Sequence, residues 1–153
     1  MSYRSAPRTR EYGSLELFQG CSRRELRTLA RLSTRLDAPT GRTIARQGSR
    51  QREFVLVIEG AAEVLRDGHV VAHLGRGDHC GEFTLVRGVP QPATVVATAP
   101  SIIDVFEVRD FQMAYHDVSS FRAAIDRALD RRTASWLTTP TPAVPVSPAL
   151  VEW

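Results

Sequence analysis

At 153 residues, with 42% apolar and 24% charged content, the chain has the size and hydrophobicity of one globular domain with a core of its own. No apolar run is long enough to cross a bilayer, and the first ten residues are polar and Arg-rich, so neither a spanning helix nor a secretory leader is expected and the cytoplasm is the expected compartment. The formal charge of +3 conceals an asymmetry: all 20 basic residues are arginine, and residues 1–52 hold twelve of them against four acids, while the remainder is net acidic. Such a basic third pairs within the chain or attracts an anionic partner. The two cysteines, Cys21 and Cys80, are too few for a disulfide framework or a Cys-based zinc site, and read as small apolar residues.

In chain order, residues 1–13 show no periodicity and predict a flexible basic arm. Ser22 followed by Glu25 is a capping box, and Leu26, Leu29, Ala30 and Leu32 form an apolar stripe, which predicts a helix over 23–32 with Arg23, Arg27 and Arg31 facing solvent. Short apolar segments then alternate with turns, predicting strands over 43–45, 54–58, 61–66 and 69–74. The second is buried on both faces, and Asp67-Gly68 joins the last two through a type I′ turn. Gly75 to Asp78 make another turn, a short helix starts near Glu82, and strands follow over 93–97 and 102–108.

Beyond residue 108 the period becomes helical. A short helix is expected over 110–115, then a longer one capped by Ser119 or Ser120, with Phe121, Ile125, Ala128, Leu129 and Trp136 on one side. Four prolines in residues 138–153 predict an extended, disordered tail. The fold class is therefore α+β: a small antiparallel β-barrel with an N-terminal helix and two C-terminal helices, one domain over 14–137.

The order "FVLVIEGAAEVLRDG", "CGEFTLV", "PQPATV" resembles the cyclic-nucleotide-binding domain, whose barrel is a double-stranded β-helix or jelly roll, and the likeness runs from about residue 15 to 137. Gly81, Glu82, Leu85, Val86, Pro90, Ala93, Thr94 and Val95 match the family's phosphate-binding cassette. The resemblance implies a ligand such as cAMP or cGMP held by Gly81, Glu82, Phe83, Thr84, Gln91, Ala93 and Thr94. In it, Gly81 lets the backbone approach the ligand, Glu82 accepts the ribose 2′-hydroxyl, and the first turn of the short helix turns N–H groups toward the phosphate. The family's arginine, which pairs with the cyclic phosphate, falls at Gln91, and the small residue after it at Pro92. A neutral amide in place of a charged donor weakens phosphate binding roughly ten- to a hundredfold. Arg87 and Arg76 are the candidate replacements for that cation, and Phe121, Ile125 and Leu129 are the candidate lid over the base.

Too few residues follow residue 137 for a DNA-reading helix-turn-helix, so the expected role is a stand-alone regulatory or sensor protein that signals to a separate effector, with "FRAAIDRALDRRTASW" offering a seam for a homodimer. Catalysis is not expected, and no metal or cofactor. His69 and His73 stand about 13 Å apart at ~3.3 Å per strand residue, too far to chelate one ion, and neither a Walker loop nor a nucleophile elbow is present. Two other readings remain at this point: a degenerate barrel used as a protein–protein interaction module, and a basic adaptor for nucleic acid or membrane.

Overall fold

The structure, a computed structural model, describes residues 5–132. The Pro-rich tail and Trp136 lie outside the described residues. Eight strands form two antiparallel sheets of four: β1 (Thr34–Ala38), β8 (Ser101–Glu107), β3 (Glu53–Glu59) and β6 (His79–Cys80) in one, β2 (Thr43–Ala45), β7 (Thr94–Ala97), β4 (Ala62–Arg66) and β5 (His69–Leu74) in the other. Apolar residues of both sheets belong to one continuous core. This is the antiparallel jelly-roll class, made of two sheets rather than a closed barrel.

The strongest sequence signals become the strands that organise it. β3 buries five consecutive residues, Phe54 to Ile58, because β8 and β6 cover its two edges and the core takes both faces. β4 and β5 pair through Asp67 (φ 54°) and Gly68 (φ 81°), the left-handed pair that a type I′ hairpin needs. The capping box forms as read: Glu25 N–H donates to Ser22 Oγ at 3.1 Å and Ser22 N–H to Glu25 Oε1 at 2.7 Å, opening α2 (Arg23–Arg31).

Residues 1–13 are not a flexible arm throughout, since Ser5–Gly13 form a helix, α1, that packs on α2. A polar, Arg-rich segment holds this helix because Tyr12 goes fully under cover. Its ring stacks on Phe18 at 4.6 Å, and its hydroxyl donates to Asp104 at 2.6 Å. Arg8 donates to the carbonyls of Ala30 and Ser33, and Arg35 binds Glu11 and Asp104, so part of the basic third is paired within the chain. Arg23, Arg27 and Arg31 face solvent. β1 and the two-residue β6 have no alternating pattern and were not anticipated.

A 3-10 turn, Glu16–Phe18, links α1 to α2, and two helices close the described chain: α4 (Val108–Asp117) and α5 (Ser119–Arg132). Ser120, a predicted cap, instead donates its hydroxyl to the Gly20 carbonyl at 3.1 Å. Phe121 is the hub of an aromatic cluster, with ring centroids 5.7 Å from Phe111, 5.9 Å from Phe54 and 6.0 Å from Phe18. That cluster fixes the start of α5 to the end of the sheet bearing β3.

Candidate ligand site

The cassette begins where β6 leaves β3. Cys80 pairs with Val55, and the chain then turns sharply at Gly81 (φ 102°) into α3 (Glu82–Arg87). A Cβ on Gly81 would lie 2.2 Å from the Glu53 carbonyl oxygen. Glycine is thus required by the approach of the chain to β3, where the family pattern suggested approach to a ligand. With Phe83 packed in the core, the neighbouring Glu82 is drawn inside as well and is 0% exposed.

A carboxylate this deep needs partners, and it has two. Glu82 Oε1 lies 2.5 Å from His79 Nδ1 and 2.7 Å from an Nη of Arg132, which reaches in from the last turn of α5 with its own side chain 13% exposed. Burial pushes the Glu82 carboxyl up, but the charge of Arg132, aided by His79, outweighs it and holds the group below its ordinary value. Burial, then the Arg132 charge, holds the His79 imidazole below its ordinary value against the pull of Glu82. His79 is therefore neutral near pH 7 and donates its Nδ1–H to the carboxylate. His79 and Arg132 also line a cleft of about 220 Å³, together with Glu16, Asp78, Arg127 and Arg131.

These directions fix a pH dependence. A histidine depressed in the folded state contributes stability that is complete above the ordinary value near 6.5 and is lost as pH falls toward its lower folded value. Glu82, also depressed, keeps its contribution above the ordinary 4.5 and loses it only in stronger acid. The urea midpoint is expected to drop between pH 7 and pH 5, and to drop less in His79→Gln. An unchanged slope would remove His79 from this role.

The other cassette residues are close by in sequence but unlike in environment. The Thr84 hydroxyl is buried and has no hydrogen-bond partner among the described residues, and neither has Glu82 Oε2. Gln91, 1% exposed, donates from Nε2 to the Ala93 carbonyl at 3.1 Å and leaves Oε1 buried and unpartnered. Its backbone is bound to the loop after β2, through Gly48 N–H to its carbonyl and its N–H to the Ser49 carbonyl. Thr94 Oγ1 accepts from the Gln47 N–H at 2.9 Å, which ties it to that same loop, and Ala93 is buried. Phe83 is a core side chain.

The two candidate cations are engaged elsewhere. Arg87 makes an exposed ion pair with Asp130 at 3.2 Å. Arg76 donates to the Ile58 carbonyl and to Ser14 Oγ. The arginine at the cassette is Arg132, which the sequence did not single out: an Arg131-Arg132 pair at a helix C-terminus is ordinary macrodipole chemistry and carries no positional signal. His79 likewise carries no signal of its own in the sequence, since a lone histidine there matches no metal-ligand spacing. The lid candidates Phe121, Ile125 and Leu129 are all fully buried and pack against the chain's own core, so the apolar seam that suggested a homodimer faces inward over the described residues. Burial, reinforced by Glu82, pushes the Cys80 thiol up to about 12, which makes it unreactive.

A family model described as "Cyclic nucleotide-binding domain" matches residues 35–117, a span that contains β3 to β8 and the whole cassette. An uncharacterized protein of Mycobacterium tuberculosis is 39% identical over 88 residues, 58% of this chain and 18% of the relative. Acetyltransferase Pat of Mycolicibacterium smegmatis is 31% identical over 150 residues, covering 95% of this chain and 44% of the relative. Among solved structures, a variant of the cAMP-binding acyltransferase of Mycobacterium smegmatis superposes with a TM-score of 0.66 at 29% identity, over 85% of this chain and 42% of that one. The chain spans less than half the length of these relatives.

Proposed function

The chain belongs to the cyclic nucleotide-binding domain family, and from that premise we propose that it is a non-catalytic regulatory or sensor module that binds a 3′,5′-cyclic nucleotide, cAMP in the first place, weakly, at the Gly81–Glu82 cassette. The observation that carries this reading is the state of Glu82: buried, ionised, held by one carboxylate oxygen, with Oε2 left without a partner among the described residues. An unsatisfied buried acceptor costs about 1–3 kcal/mol, which a ribose hydroxyl donating to Oε2 recovers. The unpartnered Thr84 hydroxyl in the same helical turn offers a second polar contact. Binding is weak because position 91 brings no charge and spends one of its two amide donors on Ala93.

In this reading Glu82 orients the sugar, α3 and the 91–94 loop hold the phosphate side, and α5 carries the change to an effector protein in the cytoplasm. A ligand-independent interaction module is favoured by one observation only, that Arg132 and His79 already satisfy half of Glu82 from within the chain. Calorimetric titration separates the two. The expected result is saturable binding of 3′,5′-cyclic AMP, no binding of 5′-AMP, and an affinity roughly ten- to a hundredfold higher in Gln91→Arg. Absence of heat from cyclic AMP and cyclic GMP with both proteins refutes the sensor reading.

A further inference from the structure

We propose that Arg132, on the last turn of α5, supplies the cation that the cassette loop lacks, so that the chain binds an anionic nucleotide only with the end of α5 docked. This deepens the cyclic-nucleotide reading and rests on it. The first support is what position 91 presents. Gln91 commits one of its two Nε2 N–H donors to the Ala93 carbonyl and turns the buried acceptor Oε1 to no partner among the described residues, so position 91 offers at most one neutral donor and no charge to a phosphate.

The second support is charge. With His79 neutral, Glu82 alone would set a buried negative charge at the ribose position, and an anion approaching it would be repelled. Arg132 cancels that charge from 2.7 Å, while Arg87 and Arg76 are bound to Asp130 and to Ile58 and Ser14. The third is stereochemistry. A guanidinium is a planar fork of five N–H donors, so it can bridge a carboxylate oxygen and an anionic ligand oxygen at once. Arg132 contacts only Oε1 of the carboxylate, and Oε2 remains for the ligand hydroxyl. Ligand and internal ion pair are compatible.

Because the charge arrives on α5, every ligand molecule bound stabilises the docked end of that helix, and undocking α5 releases the ligand by the same factor.

The test is titration of 3′,5′-cyclic AMP into the wild type, Arg132→Gln, Gln91→Arg and the double variant. Arg132→Gln is expected to weaken binding tenfold or more, and Gln91→Arg in that background to restore it to within about threefold of the wild type. Equal or tighter binding by Arg132→Gln overturns the proposal, since Arg132 would then be a plug. Binding by Gln91→Arg but not by the wild type also overturns it, and leaves the cyclic-nucleotide reading standing. Silence from both the wild type and Gln91→Arg removes that reading and the proposal together. A measurement on the wild type alone guards against a misfolded variant: cyclic AMP is expected to slow tryptic cleavage at Arg131 and Arg132, whereas a displaced plug would be cut faster.

Discussion

Gly81→Ala is expected to cost about 2–5 kcal/mol of folding stability, read as a shift in the urea midpoint at constant slope. Two terms combine. The residue sits at φ 102°, where a Cβ costs about 1–2 kcal/mol, and that Cβ would come within 2.2 Å of the Glu53 carbonyl and 3.3 Å of the Phe54 Cα. Neither atom is the end of a flexible side chain, so β3 and β6 must separate, at a cost of about 1–3 kcal/mol typical of overpacking. Gly41→Ala isolates the first term, because Gly41 has a similar φ of 91° with nothing within 4 Å of the added carbon. It is expected to lose only about 1–2 kcal/mol. Equal losses at the two positions would mean that the contact with β3 does not decide the residue. Cyclic-nucleotide affinity is expected to fall in Gly81→Ala too, because α3 starts from this turn and carries Glu82.

The same pair of strands explains why so much of the fold was readable. β3 is a run of β-branched and aromatic residues whose burial on both faces follows from composition alone, and Asp67-Gly68 and Ser22-Glu25 are local signals whose partners lie within three residues. The cassette was readable by resemblance for a related reason, since its residues are contiguous. What escaped depends on contacts distant in sequence. Arg35 looks like a surface residue until Asp104, 69 positions later, takes it into the interior, and without that pair β1 has no pattern to show. α1 has Tyr12 as its one large apolar residue, whose reason to be buried is again Asp104. Arg132 meets Glu82 across 50 residues, and nothing in its own neighbourhood distinguishes it from the other arginines of α5. Substitution of the family's arginine by Gln91 was visible, but its replacement could be found only after the chain had been folded.

Asp104→Ala should prove nearly as damaging as the glycine substitution, although it lies far from the cassette in sequence. Asp104, 0% exposed, accepts from the Tyr12 hydroxyl at 2.6 Å and from Arg35 at 2.8 and 3.0 Å, and Arg35 in turn binds Glu11 at 2.8 Å. Burial, with the Asp104 charge next, pushes the Tyr12 phenol well above its ordinary value, so it stays a donor at any working pH. Removing the carboxylate takes away the two-pronged partner of an Arg35 side chain that is only 5% exposed, and breaking a buried pair in this way costs about 3–5 kcal/mol. Replacing the three buried members by apolar groups, in Asp104→Leu with Arg35→Leu and Tyr12→Phe, should cost less than Asp104→Ala, because the one charge then left without this partner, Glu11, is part-exposed. A loss below about 1 kcal/mol for Asp104→Ala would show the network to be a bystander. The network also bears on the site: Tyr12 stacks on Phe18, and Phe18 lies 6.0 Å from Phe121 at the base of α5. Loosening α1 therefore loosens the helix that delivers Arg132, and Asp104→Ala is expected to weaken cyclic AMP binding even in the fraction that remains folded, whereas a purely local defect would leave that affinity unchanged.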